Sequence, residues 1–422
     1  MQNSVPSSML KTDLKRQRAQ YFHPPHWVTA DVWMFAAFSN VYALSTSAGL
    51  LLVDASLRGF GAQLQKALRT WTADPIHTLI LTHGHMDHAG GLTNFERAND
   101  LPQNIVAQEN VLRRFERYHL TNGWNGHINM IQFGLPQPTF PRDFVAPTQT
   151  FHDKLALTMG ELDIEIYAAK GETDDMCYIW LPEKRYLFCG DLFEWTLPNT
   201  GNPQKVSRFP LEWADAAEEM AALGPEVLFP GHGFVLQGKE VIQTLLGDVA
   251  ALNRDLVMQV VERMNKGETP EAIYHGVEPR ADLMEKWYLR PTYDDPKFVV
   301  RNILHRYGGW WNGRFADLLP SPVQTQAQAI AELTGGAAAI IAKGRAHLET
   351  GNLALAAHHA DWATQADPDN MDAQAFKRDV YEARIDAEPS LMAKGIFRHA
   401  ANEARTLLGE QPLPPHTSLS LG

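Results

Sequence analysis

Residues 81–92 read LTHGHMDHAGGL, which sets His83, His85, Asp87 and His88 within six positions of a chain that has only 17 histidines. Imidazole and carboxylate are the donors that divalent metals take from proteins, and neutral imidazole suits zinc. His83 and His85 are two apart, whereas Asp87 and His88 are adjacent. On a loop, these spacings let one short segment address two neighbouring ions, each pair from a different face. The aspartate can serve the second ion while contacting the water that such a pair activates. Capping a helix would need one Ser, Thr, Asp or Asn rather than three imidazoles, so a purely structural role fits this loop poorly.

Such a loop needs a rigid frame. The preceding run, HTLILTH, is apolar and should be a buried strand with His83 at its end. From Asp31 onward, short β-rich runs (VWMFAAF, VYALST, GLLLVDAS, NIVAQ) alternate with the helix-like GAQLQKALRTW and ENVLRRFERYH. Strands interleaved with helices predict a layered α/β domain. PEKR, set between the apolar runs DMCYIWL and YLFCGD, reads as a hairpin turn, so the sheet should be partly antiparallel. RRFERYHLTNGWNGHINMIQFGLPQPTFP is rich in aromatics and amides but poor in periodicity. It is expected to be an inserted loop that walls a pocket, with Tyr118, Trp124, Asn125 and His127 as lining candidates.

Residues 1–30 are polar and read as an N-terminal arm packed on another surface; residues 31–245 form the expected catalytic domain, and 246–320 a helical connection completing it. Past a Pro-containing linker near 318–324, residues 325–410 are Ala-rich and helical. Their helix–turn–helix cadence resembles tetratricopeptide hairpins, with too few units for a solenoid. His358 and His359 on this part read as surface or interface residues. Hairpins this few leave an apolar face uncovered, and the resemblance to a known dimerisation domain given below implies a homodimer built mainly on 325–410.

Composition narrows the function. A formal net charge of −12 and a pI near 5.8 oppose nucleic acid as partner. An anionic substrate would need a local positive site, such as metal ions. Cys177 and Cys189 are too few for a disulfide framework and sit in strand-like runs, as buried thiols do. No stretch reaches the roughly 20 apolar residues of a membrane span, and no signal sequence is evident, which makes the cytoplasm the default expectation.

The loop resembles the H-x-H-x-D-H signature of the metallo-β-lactamase superfamily, and LLLVDAS resembles the strand that ends, here at Asp54, in that family's aspartate. The resemblance implies an αββα sandwich with a two-metal site at one edge. It also implies later ligands, here Asp191 in FCGDLF and His232 in LFPGHG. In the slot of the third histidine, AAKGETDDM supplies Glu172, preferred to the nearby His152, which precedes the strand pair. Alkylsulfatases within the superfamily also use a glutamate there, followed nineteen residues later by a second acid, the separation of Glu172 from Asp191. In them that acid is usually glutamate; here it is aspartate. DDPKFVVRNILHRYGGWWNGRF is similar to the alkylsulfatase R-Y-L-G-W-x-D-G-N segment, and residues 325–410 resemble the alkylsulfatase dimerisation domain. The likeness implies a short form without the C-terminal sterol-carrier-like domain of longer relatives.

The resemblance therefore implies two divalent ions, zinc first and manganese or iron as alternatives. One ion would be held by His83, His85 and Glu172, the other by Asp87, His88 and His232, with Asp191 bridging. Two cations roughly 3.5–4 Å apart acidify a shared water, and Asp87 would orient it. The implied activity is hydrolysis of a sulfate ester of a small organic molecule. Lys205, Arg208 and Tyr307 are candidate substrate contacts, beside Tyr118 and Asn125; Arg301 and Arg306 are weaker ones. Thioester or lactone hydrolysis is the alternative chemistry, and a dimeric binding protein with a vestigial site is the alternative of another class.

Overall fold

The computed structural model describes residues 22–415. A seven-stranded sheet takes its strands in chain order: β1 (Phe22–Trp27), β2 (Val32–Ala37), β3 (Ser39–Thr46), β4 (Gly49–Val53), β5 (Ile76–Ile80), β6 (Asn104–Gln108) and β7 (Gln149–Phe151). Its first four strands pair antiparallel and the rest parallel. A six-stranded sheet contains β8 (Lys154–Met159), β9 (Leu162–Ala169), β10 (Met176–Leu181), β11 (Tyr186–Gly190), β12 (Val227–Pro230) and β13 (Leu236–Gln237), ordered β13-β12-β11-β10-β9-β8. Leu181 faces Tyr186 across the hairpin that PEKR turns.

The period-2 alternation of β3 shows how the layers stack. Tyr42 and Leu44 join Val53, Ile166, Ile179 and Phe229 in a core between the two sheets. Val41 and Ala43 face the opposite way, onto α1 (Arg58–Trp71), α2 (Met86–Ala89), α3 (Leu92–Arg97) and α4 (Asn110–Leu120). Strands buried on both faces need continuous apolar sequence, as in VWMFAA and MCYIWL. In α4 the buried Val111, Arg114, Phe115 and Tyr118 recur at helical spacing.

The stretch expected to be an irregular insertion is helical instead: α4 is followed at once by α5 (Asn122–Phe133), which ends on Gly134 in the left-handed conformation. Its Gly and Asn residues are weak helix formers and mask the period. Beyond α6 (Pro210–Ala222), the 245/246 boundary falls inside one continuous helix, α7 (Lys239–Asn265). With α8 (Pro270–Gly276), α9 (Ala281–Met284) and α10 (Pro296–Gly308), these helices bury Trp213, Leu246, Val260 and Val300 against the second sheet. The layers thus run α-β-β-α.

The arm expected over residues 1–30 lies largely outside the described residues; within it, Phe22–Trp27 is an edge strand of the first sheet. Its register slips between His23 and His26, around two prolines, which an edge strand tolerates. After the catalytic layers come α11 (Val323–Thr334), α12 (Ala337–Glu349), α13 (Leu353–Ala366), α14 (Met371–Ala387) and α15 (Leu391–Leu407). Ile340, Ala360, Phe376 and Val380 form a small core of their own there. No helix of the described residues is long and apolar enough to cross a membrane.

Candidate metal centre

The C-terminal ends of β4, β5, β11 and β12 meet at one edge of the sandwich and carry Asp54, His83–His88, Asp191 and His232. Backbone bonds fix this edge: Cys177 N–H donates to Thr82 O (2.7 Å) and Asn40 N–H to Gly231 O (2.7 Å) between the sheets, and Gly231 N–H to Gly190 O (2.7 Å) within the second. Gly231 permits the closest approach, since a Cβ there would lie 2.1 Å from Asp191 Oδ1.

Two groups of donors converge there, each with its ligand atoms within 4.8 Å of one another: His83, His85, Glu172 and Asp191 in one, Asp87, His88 and His232 in the other. In the first, His83 Nε2 is 3.0 Å from His85 Nδ1, and His85 Nδ1 is 2.9 Å from Glu172 Oε2. In the second, Asp87 Oδ2 lies 3.5 Å from His88 Nε2 and 3.3 Å from His232 Nε2. Asp191 reaches across: its Oδ2 is 3.6 Å from His83 Nε2, 3.2 Å from His88 Nε2 and 3.5 Å from His232 Nε2. His152, passed over in favour of Glu172, is exposed and pairs with Glu109 at 2.7 Å.

A ring of partners aims these donors. Asp54 accepts from Thr82 N–H and Oγ–H (both 2.8 Å) and lies 2.9 Å from His88 Nδ1, which turns Nε2 of that ring inward. His232 Nδ1 sits 2.8 Å from Phe38 O, with the same effect. Asp54 (φ +65°) and Phe38 (φ +70°) both hold the left-handed conformation that L-residues adopt at a cost of about 1–2 kcal/mol. Both residues that orient imidazoles thus carry backbone strain. Glu172 Oε1 accepts from Arg208 Nη1 and Asn199 Nδ2, and Arg208 Nη1 also donates to Asn199 O at 2.7 Å.

The electrostatics show whether cations fit. Burial opposes ionisation of Asp191, yet the neighbouring His88 and His232 hold its carboxyl well below the usual range. Burial likewise opposes charge on His88, but Asp191, Asp87 and Asp54 drive its pKa well above the ordinary value. Asp87 and Asp191 therefore demand positive charge, which in the chain alone the protonated imidazoles of His88 and His232 supply. His83, buried and beside His88, is pushed down to about 3 and stays neutral, as a ligand must. Asp191 Oδ1 is buried without a hydrogen-bond partner. Donor types, charge and this orphaned atom fit divalent metal.

The candidate substrate contacts divide. Lys205 is half-buried and donates to Asn129 Oδ1 (3.0 Å); burial and then Arg208 lower it to about 8, while Glu172 and Asp87 act on it in the other direction. Arg208 is buried, with Nη1 committed to Glu172 and Asn199. Three other candidates find different partners. Tyr118 packs against Phe140 and Phe144, and Asn125 donates to Thr121 Oγ1 within the turn that starts its own helix (2.9 Å). Tyr307 is exposed beside Arg306, which pairs with Glu212 and lies over Phe209. Trp124 is exposed next to His127, and Arg301 stacks on Tyr274. Sequence reasoning missed Glu194, whose carboxyl is pushed well above the usual range by burial, Asp191 and Glu172. It also missed Tyr293, whose hydroxyl is raised by burial and by the charge of Glu172. Glu194 lies only three residues past Asp191, which was the available signal.

This fold and site have known counterparts. Residues 35–232 match the family model of the metallo-beta-lactamase superfamily, and residues 269–406 that of alkyl sulfatase dimerisation. The chain thus joins a domain of the metallo-β-lactamase superfamily type to a C-terminal region of the alkyl sulfatase dimerisation type. It is 29% identical to a linear primary-alkylsulfatase of Pseudomonas sp. over 72% of this chain and 62% of that protein. It is 24% identical to an (R)-specific secondary-alkylsulfatase of Pseudomonas sp. over 87% of this chain and 60% of that protein. An alkyl/aryl-sulfatase of Saccharomyces cerevisiae is 23% identical over 90% of this chain and 64% of its own length. The chain thus spans about three fifths of the length of these relatives. The solved structure of a stereoselective inverting sec-alkylsulfatase from Pseudomonas sp. superposes with a TM-score of 0.81, covering 92% of this chain and 66% of that one at 22% identity, a likeness of fold.

Proposed function

We propose that the protein is a metal-dependent hydrolase of sulfate esters of a small organic molecule. The observation that carries this reading is the pair of donor groups meeting at Asp191, in a chain whose C-terminal part is of the alkylsulfatase type. His83, His85 and Glu172 would hold one divalent ion, Asp87, His88 and His232 the other, with Asp191 between them; zinc suits this donor set best. Bound there, the ions would acidify a water and offset charge building on the ester.

The chain's own residues set the rest. Asp87 Oδ2 faces the second group and would orient the attacking water. Arg208 and Asn199 fix the Glu172 carboxylate. Lys205, with one hydrogen bond to Asn129, keeps donors for an anionic sulfate, whereas Arg208 Nη1 is already committed. The homodimer expected over 325–410 has support in exposed apolar side chains there and just before, including Leu333, Phe315 and Leu319. Such exposure calls for a covering surface.

The test is to measure metal content together with sulfate release from a panel of alkyl and aryl sulfates. The expected result is two ions per chain and sulfate release that chelation abolishes. Hydrolysis of thioesters or lactones with no release from any sulfate would overturn the substrate class.

A further inference from the structure

The last helix of the C-terminal region does not stay within that region. α15 returns to the catalytic layers and lies against α5. A Cβ on Gly395 would sit 1.9 Å from Gln132 O and 2.7 Å from Gln132 C, so the two backbones touch there without side chains between them. At its start, α15 binds the loop that carries Tyr293. Ser390 is fully buried, and its Oγ donates to Tyr293 O at 2.7 Å. Leu391 N–H donates to Thr292 O (3.0 Å) and Met392 N–H to Tyr293 O (3.3 Å).

The two segments that α15 holds are joined to each other near the metal ligands. Gln132 Nε2 donates to Tyr293 Oη at 2.9 Å, which leaves the phenolic hydrogen free to be donated elsewhere. Asp294, the next residue, accepts from Gly201 N–H at 2.6 Å, which ties the Tyr293 loop to the segment whose Asn199 and Arg208 bind Glu172. Asn202, on the segment between Asn199 and Arg208, completes the chain with Nδ2 3.5 Å from Gln132 Oε1.

We infer that α15 is a positioning element of the active site: through Gly395 and Ser390 it sets the distance between α5 and the 290–294 loop, and so the aim of the Tyr293 hydroxyl at substrate. The dimerisation region thereby shapes substrate binding from within one chain. Gly395 and Ser390 are positioning residues; Tyr293 is the group they aim.

The kinetic part of the test rests on the sulfate-ester reading, so it is paired with a measurement that does not. In the full chain, Gly395→Ala must push α15 and α5 apart, because close-packed interiors do not absorb such overlap. With 4-nitrophenyl sulfate as probe, kcat/KM should fall about ten- to a hundredfold, mostly through KM, while metal content stays that of the wild type. Amide hydrogen exchange should quicken in residues 122–133 and 290–294 but not in 81–92. Wild-type kinetics, or unchanged exchange in both segments, would overturn the inference. If Gly395→Ala does not fold, Ser390→Ala and Ser390→Thr decide by the same measurements: the threonine, which retains the hydroxyl, should restore what the alanine loses, and equal behaviour of the two would refute it. A wild-type protein inactive on every sulfate ester removes the sulfate reading alone, and the exchange comparison then decides.

Discussion

The two donor groups that meet at Asp191 are supported by opposite charges. In the first, Glu172 is already matched by the buried Arg208 guanidinium, so part of its negative charge is offset before a cation enters. Burial would raise this carboxyl, but Arg208 and then His85 bring it down to about 2. In the second, His88 is backed by a carboxylate, Asp54, which adds negative charge behind the ligand. A cation in the first group therefore sees two imidazoles and a partly neutralised glutamate. A cation in the second sees two imidazoles, Asp87 and a reinforcing aspartate. The second group should bind its ion more tightly, and the first should be the exchangeable position.

The largest effect expected is from Asp191→Ala. It removes the one carboxylate within 3.6 Å of imidazoles of both groups. Both ions should be weakened and activity should fall by more than the roughly 10–100-fold that loss of an outer partner costs. Retention of two tightly held ions would show that the groups are independent. A smaller pair of effects separates them. Asp54→Asn should weaken only the ion of the second group, by about 10–100-fold. Glu172→Gln should weaken only that of the first, while His152→Ala leaves both alone. Metal titration of the three variants would read this out, and a swapped ranking would reverse the comparison.

Within both groups, the donors differ in how far they could be read from sequence. Four of the donors lie within six residues, where their spacing speaks for itself. Glu172, Asp191 and His232 are isolated in sequence and could be named only through a family resemblance. The supports were less visible still. Nothing in DAS marks Asp54 as the partner of His88, because that pairing spans 34 positions and exists only once β4 and β5 are parallel neighbours. Tyr293 and Gln132 are 161 positions apart and meet through a helix that no local pattern ties to either. The layered α/β architecture was legible because burial on both faces imposes apolar runs that composition cannot hide. The edge strand at Phe22–Trp27 was not, since two prolines and two histidines erase both alternation and β-propensity.

The smallest effect concerns the loop that supports the first group. Asp294 is fully buried; its Oδ2 accepts from Gly201 N–H at 2.6 Å and its Oδ1 from Asp295 N–H at 2.8 Å. It thereby ties the segment bearing Asn199, a partner of Glu172, to the one bearing Tyr293. Burial pushes this carboxyl up to about 7, the two backbone donors opposing. Between its unfolded and folded pKa values the unfolded chain has released the proton and the folded chain keeps it. Stability must then fall as pH rises through that interval. Asp294→Asn cannot ionise and lacks this contribution. The stability advantage of the wild type over Asp294→Asn should therefore be larger near about pH 4 than near about pH 7.5, as measured by urea unfolding of metal-free protein. Because the tie is to the first group only, the same variant should loosen an ion bound by the proposed set His83, His85 and Glu172 and leave one at the second group unchanged. A stability difference constant across that range would mean that Asp294 is already ionised in the folded chain.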